Sequence, residues 1–191
     1  MRRQMDSVHR PSRMTHDDEI MIFMSQSGLL DASRARDWDA WYVEHLNVML
    51  TVPGVSSAQR FVTDAPAYSP SLAMYTVTGP GIFDDPYYRS VRGMGEWQPL
   101  IDRRHYHRNL FAGLDAAPAV AVNARLIVAD RDQEDTALAD LGMRWLRCVG
   151  IDRSTPLRGI AVMSAQAAEA VRTRELAVYR PATEAMVSRP R

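Results

Sequence analysis

The 191-residue chain contains no lysine, so all 23 of its basic residues are arginine. This removes Schiff-base lysine chemistry and the lysine of a phosphate loop in one step. There is one cysteine, Cys148. No internal disulfide can form, which fits a reducing cytoplasm, the location expected. Neither sign of charge is in excess: 23 Arg face 23 Asp and Glu, for a formal net charge of zero. A general nucleic-acid binder would carry a basic surplus, so no nucleic-acid partner is expected. No hidden basic domain is averaged away, because residues 1–115 hold 12 Arg and 14 acids and residues 116–191 hold 11 and 9. No apolar run approaches the roughly 20 residues that span a bilayer, so no membrane partner is expected. Met1 to Asp18 is polar, without the apolar stretch of a secretory signal. Also missing are G-x-G-x-x-G after a strand, a phosphate loop, a G-x-S-x-G elbow and C-x-x-C. What remains for acid–base and anion-binding work is histidine, tyrosine and arginine.

Apolar residues at 46% and charged residues at 24% are the balance of an ordinary globular chain. Residues 1–18 lack apolar periodicity and read as a flexible N-terminal arm, and residues 184–191 as a tail. Between them, strand and helix periods alternate. Glu19 to Gln26 is a short apolar run suited to a strand. Ser33 is a candidate cap for a helix to about Leu50, stopped by Pro53-Gly54. Val55 to Thr63 and Ser71 to Thr78 read as strands joined by a proline-containing loop. Asp85-Pro86 has the form of an N-cap with a first-turn proline. It starts a helix to about Arg103, with Gly93 and Gly95 as candidate breaks. His105 to Phe111 reads as a fourth strand. Strand, helix, strand, strand, helix, strand is the ferredoxin-like order. After Asp115 to Pro118 a shorter copy follows: a strand at Val120 to Ala129, a helix at Asp132 to Cys148, and a strand at Arg158 to Ala165. A short helix near Ala167 to Val171 and a strand at Arg174 to Arg180 complete it. The expected fold is therefore α+β, with two ferredoxin-like units, residues 19–115 and 116–183, whose antiparallel sheets form an α/β barrel within or between chains.

The first helix carries the densest chemistry. Trp38, Trp41, His45 and Met49 recur at helical spacing and share a face, with Tyr42 beside it. Packed on a sheet, that face puts His45 at the helix–sheet junction below two tryptophans. There it is either a core histidine satisfied by a carbonyl or a general acid–base group. On the fourth strand, alternation turns His105, His107, Asn109 and Phe111 one way and Tyr106, Arg108 and Leu110 the other. Two histidines at i, i+2 can ligate a metal with His45, bind substrate, or simply end a strand in solvent. No metal is assigned. Arg60 can clamp a carboxylate or phenolate bidentately or pair with an acid. Tyr75 alternates with Ala73 and Val77, and its hydroxyl can reach a pocket. The Phe83, Tyr87, Tyr88 and Trp97 group reads as packing of the second helix or as a lining for a flat substrate. Cys148, in register with Leu141 and Trp145, reads as an inert core thiol on a helix.

The run Trp41-Tyr42-Val43-Glu44-His45, then Val52-Pro53-Gly54-Val55, then Arg60-Phe61, resembles the dimeric α/β-barrel superfamily, closest in style to EthD-like proteins. The resemblance covers mainly residues 19–112. It implies ferredoxin-like units pairing into a barrel, in a homodimer or larger homo-oligomer or between two halves of one chain. It also implies activities among lactone isomerases, polyketide and aromatic cyclases, cofactor-free monooxygenases and haem-binding enzymes. By position it carries over one residue, His45, as a catalytic candidate. Fold does not choose among the reactions. The expected reading is a cofactor-independent isomerase, cyclase or lyase moving a proton on an aromatic, lactone or polyketide-like small molecule held in the barrel. His45, His107, Arg60 and Tyr75 are its catalytic candidates, and Trp38, Trp41, His105 and Tyr106 its substrate-binding candidates. The alternatives are a non-catalytic ligand-binding or assembly barrel, and a haem- or metal-dependent oxidoreductase of the same fold.

Overall fold

The computed structural model describes residues 19–189 except 172 and 174; the proposed N-terminal arm lies outside the described residues. Alternation in the first apolar run decides the architecture. Ile22 and Met24 turn to one side of a strand, Met21 and Phe23 to the other, and both sets are buried in different clusters. A strand buried on both faces needs cover on each side. Strand β1 (Ile20–Ser27) accordingly lies between β3 (Ser71–Thr78) and β4 (His107–Ala112), both antiparallel to it. Strand β2 (Val55–Val62) pairs with β3. In the second half, β5 (Ala124–Arg131) lies between β7 (Leu157–Ser164) and β8 (Ala177–Pro181), and β6 (Arg144–Ile151) pairs with β7. Each half thus has its first strand between its third and fourth, the ferredoxin-like arrangement. The halves join where β4 pairs with β6 and where β8 pairs with β2, closing an eight-stranded antiparallel barrel within the one chain.

The interior of this barrel is a core, not a pocket. Ile22, Met24, Phe61, Leu72, Met74, Phe111, Leu126, Val128, Leu146, Ile160, Ala177 and Tyr179 fill it, all at 2% exposure or less. Eight strands enclose a space that side chains alone can fill. One charge is built into it. Arg158, 1% exposed, forks onto Asp130 of the neighbouring strand with both bonds at 2.7 Å and donates to Gln26 Oε1 at 2.8 Å. Its guanidinium carbon lies 5.4 Å from the centre of the Phe111 ring. The expected substrate position inside the barrel is corrected by this packing.

Helix α1 (Ala35–Met49) lies on the outer face of the first half and buries Trp38, Tyr42, Leu46 and Met49. The cap lies two residues earlier than expected, on a 3-10 turn, Ala32–Arg34, that leads into α1. Asp31, not Ser33, is the cap residue, and its carboxylate accepts the Ser33 N–H at 2.9 Å and the Ser33 hydroxyl at 2.7 Å. The chain leaves α1 through Gly54 at φ +87°, where a Cβ would meet Thr78 Oγ1 and stand 2.8 Å from Ile82 Cγ2. Only glycine fits that approach.

Three expected elements differ. The second helix, α2, is only Pro86–Val91: Asp85 caps it as expected, but Gly93 and Gly95 at φ +98° and +50° end it, and short 3-10 turns carry the chain onward. Strand β4 starts at His107, so His105 sits in a 3-10 turn and does not alternate with His107. The helix expected over Asp132 to Cys148 is a 3-10 turn, Thr136–Leu141, followed by β6. Gly142 at φ +67° stops the turn, and Leu146 then packs into the barrel while Trp145 faces outward. Cys148 is therefore on a strand. The tail also contributes structure: Met186–Val187 forms β9, which pairs with β2. The third helix, α3, is Ala165–Ala170. No helix among the described residues is long and apolar enough to cross a membrane.

Candidate functional site

Helix α1 does not cover its sheet completely. Towards β4 its line of contact opens into a cavity of about 390 Å³, lined by Phe23 and Ser25 of β1, His45 and Met49 of α1, Tyr75 of β3, and Arg108 of β4. Tyr106 precedes β4, and Tyr88, Arg92, Gly93, Met94 and Gln98 come from α2 and the turn after it. The size falls in the range of about 300–1,000 Å³ usual for small-molecule sites. The short α2 creates the opening: a helix continued to Arg103 would lie over this sheet face.

His45 sits at the edge of the buried face of α1. The Trp41 ring stacks on it at 4.7 Å and 11°, and Tyr42 meets it edge-on at 6.0 Å. Neither imidazole nitrogen has a hydrogen-bond partner among the described residues. Burial lowers its pKa from 6.5 to about 4, because the charged form would be poorly solvated there. At neutral pH the ring is uncharged and presents a free lone pair.

The cavity wall also carries the phenols of Tyr75, Tyr88 and Tyr106. Phe23 and Tyr75 are stacked on one another at 5.4 Å and 22°, and the pair gives the cavity an aromatic wall. Burial raises the Tyr75 phenol well above its usual range and raises Tyr88 too. Both stay protonated at neutral pH, so each hydroxyl has a proton available to donate. Arg108 lies beside the Tyr106 ring, 5.7 Å from its centre.

Of the residues expected from sequence, His45, Tyr75 and Tyr106 meet at this cavity. Trp41 supports His45 from behind. Trp38, 2% exposed, stacks on Trp41 at 4.8 Å and is core. Arg60 is engaged elsewhere: its Nη1 binds Asp39 at 2.6 Å, its Nε donates to Ser71 at 3.0 Å, and it lies 4.6 Å above the Tyr42 ring. Held this way it fastens α1 to the sheet and does not reach the cavity. His105 packs against Gly28. His107 lies 3.1 Å from the Arg104 carbonyl. The two histidines and His45 do not form a ligand set, and among the described residues no three His, Cys, Asp or Glu side chains are placed to share a metal ion. Tyr88, read from sequence as helix packing or as lining for a flat substrate, lines the cavity too, whereas Arg108, Ser25, Arg92 and Met94 were not expected. For Arg108 the signal was present, since strand alternation puts it on the face of Tyr106 and Leu110.

No family model matches the chain, and no curated protein does either. Solved structures do. A candidate monooxygenase of Fusobacterium nucleatum superposes with a TM-score of 0.51 at 8% identity, covering 88% of this chain and 97% of its own. A candidate chlorite dismutase superposes at 0.53 and 10% identity, covering 85% and 94%. A candidate monooxygenase of Lactobacillus acidophilus superposes at 0.51 and 9% identity, covering 88% and 99%. This chain is similar to them in fold, over nearly the whole length of each: an α+β barrel closed by antiparallel strands with helices on its outer face.

Proposed function

We propose that this chain is a small-molecule oxidoreductase and that its chemistry takes place in the cavity beside α1, outside the barrel. The observation that carries this is His45, an uncharged imidazole with unengaged nitrogens on the wall of a cavity shared with protonated phenols. In this reading His45 takes a proton from an acidic C–H or O–H of the bound substrate. Tyr75 and Tyr88 donate hydrogen bonds to the oxygen that gains negative charge. The Phe23–Tyr75 surface favours a flat, aromatic or conjugated substrate, and dioxygen is the oxidant. The descriptions of two similarly folded proteins as monooxygenases support oxidation over isomerisation, cyclisation or elimination. The EthD-like sequence resemblance points to the same histidine.

A haem-dependent version has an observation of its own. An unprotonated imidazole with a free lone pair is a donor that haem iron accepts, so His45 is the residue that would hold the iron. Haem bound there would supply one-electron and oxygen chemistry.

The test is oxygen uptake by the purified chain across a panel of phenolic and 1,3-dicarbonyl aromatic compounds, with a hemin titration alongside. Oxygen consumed in proportion to product is expected. His45→Ala is expected to lower kcat by about 10²–10⁴-fold with an unchanged circular-dichroism spectrum. A hemin Soret shift that disappears in His45→Ala would move the assignment to the haem version. Turnover to a product of the substrate's own formula, with no oxygen used, would return it to an isomerase or cyclase. Unchanged turnover in His45→Ala would remove the histidine from the mechanism.

A further inference from the structure

The cavity is cationic within a chain of zero net charge. Two guanidinium groups, Arg92 and Arg108, stand on its wall, and none of its lining residues is acidic. The two cations differ. Arg92 is exposed, and its guanidinium has no hydrogen-bond or ion-pair partner among the described residues. Arg108 is held. Its Nη2 contacts Asp152 Oδ1 at 3.3 Å. Its backbone N–H donates to Asp152 Oδ2 at 2.8 Å, and its carbonyl accepts the Asp152 N–H at 2.9 Å. Asp152 belongs to the second half of the chain, in the turn after β6, between Ile151 at φ +65° and Arg153 at φ +49°. Two side-chain-bearing residues in the left-handed region, one of them β-branched, persist only where surrounding bonds hold them. The turn is held by Asn109 of β4, which donates to Ser154 Oγ at 2.7 Å and accepts the Ser154 N–H at 2.9 Å.

The fixed guanidinium is nonetheless incompletely used. Arg108 Nε is buried and has no acceptor. Nε is enclosed and beyond a ligand's reach, but Nη1 is not enclosed and makes no hydrogen bond among the described residues, so an acceptor brought into the cavity that Arg108 lines meets the guanidinium there. We propose that Arg108 is the anion-binding group of this cavity, that the ligand it receives is an aromatic carboxylate, and that Asp152 is the positioning residue that aims it. A carboxylate fits because two oxygens in a plane match the arginine fork. Arg92 adds long-range attraction at the mouth, and the Phe23–Tyr75 surface receives the ring. This names the substrate class for the function proposed above and rests on that reading of the cavity. It also gives the second half of the chain a part in the site: the strained turn reaches across the β4–β6 seam to orient a group that works on the first half.

The test reads binding, not turnover, so that it can fail separately from the oxidoreductase reading. Calorimetric titration of the full chain with 2-naphthoate is compared with its methyl ester, a probe of nearly the same shape without charge. The carboxylate is expected to bind about tenfold to hundredfold more tightly. Arg108→Met is expected to abolish that preference while leaving the ester's affinity unchanged. Asp152→Asn is expected to reduce the preference only in part. His45→Ala is expected to keep it whatever happens to oxygen uptake. Equal affinity for the two probes on the unaltered chain, which needs no variant to fold, would overturn the proposal. So would a preference that survives Arg108→Met. Loss of hemin affinity in Arg108→Met with 2-naphthoate unaffected would assign the cation to a porphyrin carboxylate and overturn it as well.

Discussion

His45 is held in its uncharged form by the same rings that place it at the cavity, and this links its function to stability. Its pKa is about 4 in the fold and about 6.5 in the unfolded chain. Above pH 6.5 both states are neutral at this residue and it contributes nothing to the pH dependence. Between about 6.5 and 4 the unfolded chain takes up a proton that the fold refuses, so stability falls as pH falls. Below about 4 both states are protonated and the effect levels off. With allowance for its partial exposure the loss across that window is about 2 kcal/mol. Urea titrations at pH 7 and pH 4.5 are expected to show this loss in the unaltered chain, and to show less of it in His45→Phe, which keeps the stacking on Trp41. At the same scale, Arg60 and Arg108 show how one residue type serves two ends. Arg60 has its Nε and Nη1 taken by Ser71 and Asp39. Arg108 has only Nη2 engaged, on Asp152, while its Nη1 and its enclosed Nε make no hydrogen bond among the described residues. Sequence alone gave each of them a strand position and a charge. The partners that set the two arginines apart come from α1 in the first case and from the turn after β6 in the second.

Among the elements, the β5–β7 pair has the highest stake in electrostatics. Asp130 and Arg158 are direct cross-strand neighbours, and their bidentate contact occurs where Arg158 is almost wholly enclosed. Removing one partner leaves the other charge buried without its counter-ion, which costs far more than the pair itself contributes. Asp130→Ala is expected to lower stability by about 3 kcal/mol. The double variant Asp130→Leu/Arg158→Met is expected to recover most of it, read from denaturant midpoints at constant slope. A double variant no better than the single one would show that the ion pair stabilises the barrel beyond neutralising its own burial. The elements of the first half were legible in the sequence because their local signals agree with their burial. β1 is apolar on both faces, α1 has an apolar stripe, and Asp85-Pro86 caps α2. The segment 132–148 was not legible. Leu138, Leu141, Trp145 and Cys148 repeat at helical spacing, but three to four residues is also a distance that a turn followed by a strand can produce. Gly142 and the pairing demands of β4 and β7 decided for the strand.

For the molecule as a whole, closure is the main fact. Each half leaves β2 and β4, or β6 and β8, as its outer strands, and each of these edges is completed by the other half. The inner faces of the two sheets cover one another, so a second chain is not needed to bury them. A segment of residues 1–115 expressed alone would bare Ile22, Met24, Leu72, Met74 and Phe111 on one face and leave the β2 and β4 edges unpaired. It is expected to aggregate or to self-associate through those edges, and gel filtration against the full chain checks this. A stable, dispersed monomer from this segment would mean that the first half folds without the barrel. Closure also explains where the cavity is. With the barrel packed solid, open space remains only where the helical layer fails to cover the outer face, and the short α2 leaves that gap beside His45.

By itself the sequence determined which chemistries were out of reach, the ferredoxin-like order of the first half, and His45 as the residue to watch. Those follow from residue counts, from period-2 and period-3.6 burial patterns, and from capping chemistry, all of which act over a few residues of chain. Tertiary structure alone decided that the barrel closes within the chain, that its interior is core, and that the cavity beside His45 lies outside it. It also decided that Arg108, and not Arg60 or the His105–His107 pair, shares a cavity with His45. Each of those outcomes depends on pairings between residues some forty or more positions apart, such as Arg108 with Asp152 and Phe61 with Pro181, and no local pattern encodes which distant partner will claim a side chain.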